Sequence, residues 1–517
     1  MKASRLLLAA CLLATSAAGS PNGGALGDFE AHGDVGSPKI GGYATYNAAS
    51  QVYTLSAGGA NIWAKRDEFQ FAWRKMKGDF IVQAQVEFLG AGVELHRKAG
   101  IMARASIADF DSAYVDGAVH GNGLVSLQYR KARGEETAET AMPAAQSANV
   151  IQLERRGGVF ILSAARFGEP FQYAQIENLP NVPEEAYVGL YLSAHNADVK
   201  ETAIFRNVRV IKPVKVGFRP YRDYIGSRLE VLNVANGHRS QVYSSRVPFE
   251  APNWLPDGSA LLYNASGGDP ATRGRLWKFD LATRTPTLLD TGVAIRNNND
   301  HVLSFDGQQL AISSDADNNQ SAIYTLPAAG GTPRRITPLT LSYMHGWTTD
   351  AKWLLYTGGR TPKAGKDLEF DIYKTAADGS GKEINLTNSP GLDDGPEASP
   401  DGKWIYFNSV RSGQMQLWRM GLDGKNVERV TKDDQWNDWF PHLSPDGKWI
   451  TMISYGHEVE PSNHPYYQHC MLRIMPTDGS AAPRVIAYIY GGQGTINVPS
   501  WSPDGTHVAF VSNSDAL

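Results

Sequence analysis

The alternation of apolar and polar residues predicts β-strands along most of the chain. In residues 80–88 alternate side chains are apolar, which is the period of a strand with one buried face. Comparable strands are predicted at 100–105, 123–130, 150–154, 159–164 and 187–193. Several short strands separated by turns predict a β-sandwich over residues 26–213.

Beyond residue 213 a single turn recurs six times, at intervals of 44 to 58 residues. In its fullest form it reads Ser-Pro-Asp-Gly, where proline presets φ, aspartate bonds back to the backbone and glycine accepts a positive φ. An apolar strand follows each turn, for example at 403–407, and a second hairpin follows at 416–431. Four strands in each repeat predict the blades of a propeller. The turn aspartates are Asp257, Asp306, Asp350, Asp401, Asp446 and Asp504.

The two ends of the repeat region set the number of blades. Only one hairpin remains after Asp504, and an unpaired hairpin at 229–244 precedes Asp257. Joined, the two hairpins complete one blade, so that no sheet edge is left free. The sequence therefore predicts six blades over residues 222–517, closed by an exchange between N-terminal and C-terminal strands.

Two resemblances extend this all-β prediction. The repeated Ser-Pro-Asp-Gly strand units, as at 399–402 and 444–447, resemble the TolB-type PD40 propeller, a family that captures peptides or partner proteins. The strand at 205–210 looks like the last strand of concanavalin A-like jelly-roll domains, which often bind sugars and are sometimes only structural. For the sandwich the open alternatives are a scaffold or a sugar-binding concave face that includes Trp63, Trp73, His96, Arg104 and His120.

Composition narrows the functions. Of 517 residues 42% are hydrophobic and the formal charge is −4, which argues against binding of nucleic acid through phosphate neutralisation. The mean hydropathy of −0.33 excludes a protein with several membrane spans. Besides Cys11 the only cysteine is Cys470, which we expect to be a buried small hydrophobe.

A basic start, an apolar run at 6–13 and small residues at 16–18 predict a signal peptide over residues 1–19. We therefore expect export, with the periplasm as the compartment. The sequence at 8–11 also matches a lipoprotein box, but the apolar run continues past Cys11, so that lipid anchoring is the less favoured alternative.

The residues just before each turn aspartate are predicted to converge at one end of the central channel, the mouth. A generic blade needs only proline and small residues there, whereas this chain has polar groups in all six repeats. They are Glu250, Asn253, Asn299, Asp300, His301, Tyr343, His345, Asp394, Glu397, His442 and Asn497, with Asp438 one step further out.

The fifth repeat carries a long insertion at 455–469, which is expected on the same face. It adds His457, Glu458, Glu460, His464, Tyr466 and His469, and the glycine-rich stretch after it adds Gln493. Imidazoles aimed into one funnel would bind a divalent metal, with manganese, zinc and calcium as the choices. The predicted metal ligands are His301, His345, His442, His464 and His469; the alternative is that these residues only line a water-filled channel.

Two classes of function remain open. The first is a carbohydrate-processing enzyme acting on an oligosaccharide or polysaccharide. Its predicted catalytic residues are His457, Glu458, Glu460 and Glu397, the last paired with Glu458 or Glu460 as in a hydrolase. A loose resemblance to oligogalacturonate lyase, a propeller enzyme with histidines and a glutamine around manganese, would instead make His301, His345, His442 and Gln493 ligands of a lyase metal.

The second class is a non-catalytic binding protein for a glycan, a peptide or an envelope protein. In either class the predicted ligand-binding residues are Glu250, Asn253, Asp300, Asp394, Asp438, Tyr466, Gln493 and Asn497.

Overall fold

The computed structural model describes residues 26–267, 271–316, 319–361 and 367–515. The predicted signal peptide and Cys11 lie outside these residues. Within them the chain is built of β-strands, with one short 3-10 helix at Pro143–Ala145. None of the helices in the described ranges has the length and apolar character needed to cross a bilayer.

The first part of the chain forms two seven-stranded antiparallel sheets. Alternate residues of the strand at 80–88, among them Phe80 and Val82, share one hydrophobic cluster with Ile101 and Leu190 of the other sheet. The predicted alternation therefore identified the face of this strand that packs in the cluster shared with the other sheet. In spatial order the first sheet is β1 (Ala31–Val35), β6 (Phe69–Lys77), β15 (Glu185–Ser193), β8 (Lys98–Arg104), β9 (Tyr114–His120), β10 (Val125–Arg130) and β11 (Ala138–Ala141). The second is β14 (Gln172–Glu177), β13 (Val159–Ala165), β12 (Val150–Arg156), β7 (Phe80–Phe88), β16 (Glu201–Ile211), β3 (Val52–Ala57) and β2 (Tyr43–Asn47). A small hairpin joins β4 (Ile62–Trp63) to β5 (Arg66–Asp67).

The second part is a six-bladed propeller. Blades 1 to 5 are four-stranded antiparallel sheets whose strands follow chain order from the inside outward. Blade 1 is β19 (Phe249–Trp254), β20 (Ala260–Ala265), β21 (Leu276–Asp280) and β22 (Thr285–Leu288); blade 2 is β23 (Asn297–Leu303), β24 (Gln309–Ser314), β25 (Ala322–Pro327) and β26 (Arg334–Arg335). Blade 3 is β27 (Ser342–Trp347), β28 (Trp353–Arg360), β29 (Glu369–Ala376) and β30 (Ile384–Asn385); blade 4 is β31 (Asp393–Ala398), β32 (Trp404–Ser409), β33 (Gln416–Gly421) and β34 (Glu428–Arg429). Blade 5 is β35 (Asn437–Leu443), β36 (Trp449–Tyr455), β37 (Gln468–Pro476) and β38 (Arg484–Gly491).

Blade 6 combines both ends of the propeller region. Its sheet contains β39 (His507–Ser514), β17 (Gly226–Asn233) and β18 (Arg239–Ser245). Strands β17 and β39 pair over their whole length, from Gly226 with Ser514 to Asn233 with His507. A bridge between Trp501 and Val508 adds the innermost position.

The repeated turns have the chemistry that their sequence predicts. Asp401 Oδ1 accepts hydrogen bonds from Ser399 Oγ at 2.6 Å and from the backbone N–H of Lys403 at 3.1 Å. Gly402 has a φ of 69°, which glycine adopts at little cost. In the third repeat Ala351 takes the same place with a φ of 55°. That position is strained, because an alanine Cβ disfavours the left-handed region.

A buried joint connects the two parts. Glu230 on β17 accepts hydrogen bonds from Arg239 of the propeller and from Arg209 of β16, which belongs to the second sheet. All three side chains are at most 5% exposed. Phe171 stacks on Tyr488 with ring centroids 4.2 Å apart. Because polar and aromatic contacts are both buried, the sheets and the propeller are held as one unit.

Candidate functional site

A β-bulge near the same place in blades 1 to 5 positions the mouth. The innermost strand of each of these blades loses register with its neighbour shortly before the turn. A bulge inserts an extra residue and re-aims the side chains around it. The polar residues before each turn therefore fall into two groups, one at the mouth and one deeper along the channel wall.

Side chains of the deeper group form hydrogen bonds between blades. Asn253 Oδ1 accepts the backbone N–H of Leu303 at 3.3 Å, and its Nδ2 donates to the carbonyl of Pro499 at 2.6 Å. Glu397 Oε1 accepts the N–H of Leu443 at 2.8 Å. Each side chain thus bonds to the backbone of another blade, which gives Asn253 and Glu397 a structural place in the ring.

His442 belongs to the same ring. Its Nδ1 lies 2.7 Å from Glu397 Oε2, and its Nε2 lies 2.7 Å from the carbonyl oxygen of Ile496. Both ring nitrogens therefore lie at hydrogen-bond distance from a partner in the framework. With both nitrogens engaged in this way, neither is free to bind a metal. The predicted metal role of His442 and catalytic role of Glu397 therefore do not fit this geometry.

At the mouth, Asp300, His345 and Asp394 come together from blades 2, 3 and 4. His345 Nε2 lies 3.2 Å from Asp394 Oδ1, which also accepts from Thr357 Oγ1 at 2.6 Å. Burial opposes the charge of His345, but Asp300 and Asp394 raise its pKa above the usual value. Burial works against Asp394 as well, yet the bond to His345 holds the pKa of this carboxyl at about 2. Both shifts favour the charged forms of the pair, with His345 protonated and Asp394 ionised.

Asp300 makes no such ion pair with another residue of the described part of the chain. It is 4% exposed, and burial raises the pKa of its carboxyl to about 6, with His345 opposing the shift and Asp394 adding to it.

The insertion of blade 5 brings His464 to this cluster. Its ring makes edge contacts with Trp439 at 4.5 Å and Phe440 at 5.4 Å between centroids. Phe440 in turn stacks on His345 at 5.9 Å. Burial lowers the pKa of His464, and its Nδ1 has no hydrogen-bond partner within the described ranges. The Oε1 atom of Gln493 is likewise unpartnered there.

Glu250 forms the other side of the mouth. It is 6% exposed, and burial raises the pKa of its carboxyl to about 7, although Ser266, Tyr466 and Asn299 face it. Tyr466 meets Tyr221 edge-on at 5.4 Å and Tyr224 at 6.1 Å. A buried carboxyl thus lies beside an aromatic wall at the mouth.

The remaining predicted site residues lie elsewhere. His457, Glu458 and Glu460 are exposed on the outer part of the insertion. His469 Nε2 lies 2.9 Å from Glu154 Oε2 of the second sheet, so that it belongs to the joint. The predicted catalytic set is therefore not assembled, because the insertion folds back and presents only His464 and Tyr466 to the mouth.

Of three further predicted residues, two serve the propeller framework. Asp438 accepts from Ser454 Oγ at 2.6 Å and pairs with Arg473 at 2.7 Å. Asn497 Oδ1 accepts the N–H of Gly494 at 2.8 Å. His301 differs from these two: it is fully buried, which lowers the pKa of its ring to about 4, and neither ring nitrogen has a hydrogen-bond partner among the described residues.

The imidazoles do not form a metal centre in this arrangement. His345 is bonded to Asp394 and His469 to Glu154, while His442 has both nitrogens engaged. No three His, Cys, Asp or Glu side chains among the described residues form a group that could hold a metal ion. The donor set of the described residues therefore does not fit the expected divalent metal.

Comparison with known proteins identifies the propeller. The family model for the TolB beta propeller domain matches residues 361–462. An uncharacterized protein of Agrobacterium fabrum strain C58, Atu1656, is 44% identical over 286 residues, which are 55% of this chain and 92% of that relative. This chain belongs to the TolB-like propeller family.

Solved structures agree with this assignment. The solved structure of a TolB candidate from Agrobacterium tumefaciens is 42% identical to this chain, with a TM-score of 0.51. The match covers 56% of this chain and 99% of the Agrobacterium chain. An oligogalacturonate lyase of Vibrio parahaemolyticus matches at 12% identity, with a TM-score of 0.35, over 56% of this chain and 98% of the lyase. The second likeness carries no argument about activity.

In this TolB-like protein the residues of the first part that the sequence had suggested for sugar binding differ in exposure and in their partners. Trp63 is 37% exposed, whereas Arg104 is buried in an ion pair with Asp67. His96 lies 6.0 Å from the ring of His120. Trp73 stacks on Phe71 at 5.7 Å. Cys470 is buried, as expected.

Sequence reasoning missed Tyr221, Tyr224 and Phe440. The first two lie in the connector between the two-sheet part and the propeller, which contains three aromatic residues in seven, Phe218 included. That density in a connector was the available signal, because exposed linkers are usually polar.

Proposed function

We propose that this protein is a non-catalytic binding protein whose propeller mouth captures a segment of a partner protein. The observation that carries the proposal is the composition of the mouth: His345, Asp394, His464 and Glu250 lie among aromatic rings. Aromatic surface with a few placed polar groups is typical of recognition sites. TolB-like propellers commonly bind protein partners, which supports the same conclusion.

The chemistry of the mouth favours capture over turnover. The His345–Asp394 pair is already neutralised internally, and the predicted catalytic glutamates are exposed or hold a neighbouring blade. A general base must face the proton that it removes. Side chains that are engaged with the framework serve instead to shape a binding surface.

The selection of binding peptides tests this function. Peptides are selected from a random phage library on the full chain, and their dissociation constants are measured by fluorescence polarisation. The double variant His464→Ala/Tyr466→Ala should weaken binding at least 10-fold. The control Trp449→Ala removes an aromatic residue that is 38% exposed beside the turn of blade 5, and should leave binding unchanged. Equal affinity for the double variant and the wild type would contradict the proposal.

A second candidate is an oligosaccharide hydrolase with Glu250 and Asp300 as its acids. The observation in its favour is that burial raises the pKa of both carboxyls, to about 7 and about 6. Such shifts are what a general acid needs near neutral pH. A panel of neutral and uronate oligosaccharides, with product detection by mass spectrometry, tests it: cleavage that is lost in Glu250→Gln supports the hydrolase, and no cleavage by the wild type rejects it.

We further propose that the two-sheet part is a concanavalin A-like sandwich and that the chain is exported to the periplasm after removal of residues 1–19. The strand pattern at 205–210 and the basic-apolar start support these assignments. Cell fractionation with N-terminal sequencing of the mature protein tests the export.

A further inference from the structure

Glu250 occupies a preformed cradle on blade 1. It lies on β19 directly before the bulge, and the backbone of Gly494 lies against its side chain. A Cβ on Gly494 would come within 2.2 Å of Glu250 Cγ, and the φ of +85° there also favours glycine. The Asn299 amide, 6% exposed, faces the same carboxyl. Blades 1, 2 and 6 thus combine to hold one carboxyl in place.

Three tyrosines from two separate segments stand around this carboxyl. Tyr466 comes from the insertion of blade 5, and Tyr221 and Tyr224 come from the connector. The interplanar angle of Tyr466 with each of the other two rings is 80°. Tyr221 is 63% exposed, so that solvent and ligands reach the edge of the group. Walls of tyrosine at right angles present both faces and edges to an entering group.

Little positive charge lies near the carboxyl of Glu250 in the described part of the chain. No lysine or arginine in the described part of the chain makes an ion pair with Glu250 or Asp300. The positive groups that face the region are His345, which is paired with Asp394, His464, whose pKa burial lowers, and Arg273, which faces Tyr224. A buried carboxylate without a counter-ion is costly, and a cation from outside would remove that cost.

We propose that the mouth takes an alkylammonium group of the bound segment, such as a lysine side chain, with Glu250 as its counter-ion and the tyrosine rings as its walls. Ammonium groups are attracted to aromatic faces as well as to carboxylates. This inference rests on the proposed capture of a partner segment and names the chemistry of that segment. The raised pKa of Glu250, which burial causes, agrees with a carboxyl that lacks a cation until the ligand arrives.

The test compares two probes that differ by the terminal ammonium group. N-acetyl-lysine amide and N-acetyl-norleucine amide are titrated into the full chain at pH 8 and constant ionic strength, and binding is followed by isothermal titration calorimetry. We expect the lysine probe to bind at least 10-fold more tightly than the norleucine probe. Glu250→Gln should abolish that preference, whereas Glu87→Gln, a surface control in the sandwich part, should retain it.

A second variant separates a loss of binding from a loss of folding. Tyr221→Ala removes an exposed ring and should leave the melting temperature unchanged while it weakens the lysine probe about 3- to 10-fold, the range expected for one cation–π contact. Equal binding of both probes, or an unchanged preference in Glu250→Gln, would overturn the ammonium inference. If selected peptides still depend on His464 and Tyr466 in that case, the capture function stands and only the inferred chemistry fails.

Discussion

Replacement of Glu230 by alanine would remove the shared counter-ion of two buried arginines. Glu230 Oε2 lies 2.5 Å from Arg209 Nη2 and Oε1 lies 2.8 Å from Arg239 Nη2. Burial alone would raise the pKa of Glu230, but the two arginines hold it well below its usual value. Without the carboxylate both guanidinium groups keep their desolvation cost and lose their main compensation.

The size of the effect follows from that loss. Removing one partner of a buried ion pair costs about 3–5 kcal/mol. In domains of this size each kcal/mol lowers the melting temperature by about 2–4 °C, so that a fall of about 6–20 °C is expected. Because Arg209 belongs to the two-sheet part and Glu230 to the propeller, the variant should also separate one thermal transition into two.

Differential scanning calorimetry at pH 7 measures both features. The matched control is Glu87→Gln, which breaks an exposed pair with Arg206 at 3.4 Å and should cost no more than about 1 kcal/mol. Since the pKa of Glu230 is depressed in the folded state, its contribution is fully present above the unfolded pKa and should fade as the pH falls below that value towards the depressed folded pKa. A melting temperature for Glu230→Ala within 2–3 °C of the control, on the order of 1 kcal/mol, would refute the reasoning.

Two further substitutions test the stability of the two-sheet part and of the ring of blades. Burial raises the pKa of Asp116 to about 7, against the attraction of Lys98, so that the folded state holds a proton which the unfolded state releases between about pH 4 and 7. The free energy of unfolding should therefore fall as the pH rises through that window, by up to about 1.4 kcal/mol per pH unit. In urea titrations at pH 5 and 8, Asp116→Asn should remove this pH dependence. The same pH dependence in the variant and the wild type would contradict the reasoning. His442→Gln should lower the free energy of unfolding by about 2–4 kcal/mol, because its bonds to Glu397 and Ile496 are buried. Loss of a stoichiometric metal from that variant, measured by elemental analysis, would instead restore the predicted ligand role.

The strand pattern and the blade repeat were predictable because they depend on short-range chemistry. The alternation at 80–88 matches the buried face of β7, and the turn at Asp401 forms the bonds that Ser399 and Gly402 imply. The approach of Asp300, His345 and Asp394 was expected from the blade repeat, since the residues four to seven before successive turns were predicted to meet at one end of the channel.

Which polar residues were free at the mouth could not be read from spacing. The position four residues before the turn lies beyond the bulge in the blades that hold Asn253, Glu397 and His442, and there the side chains bond to a neighbouring backbone. The insertion posed the same difficulty, because Glu458 points outward whereas His464 packs on Trp439.

The sequence by itself thus determined the strands, the turns and the number of blades, since each depends on neighbouring residues and on a repeat length. Only the tertiary structure decided which acids and imidazoles are satisfied by the framework and which face the channel. The physical reason is that a buried polar group must find its partner in three dimensions, and here the partners of Glu397, His469 and Glu230 come from segments far away in the chain.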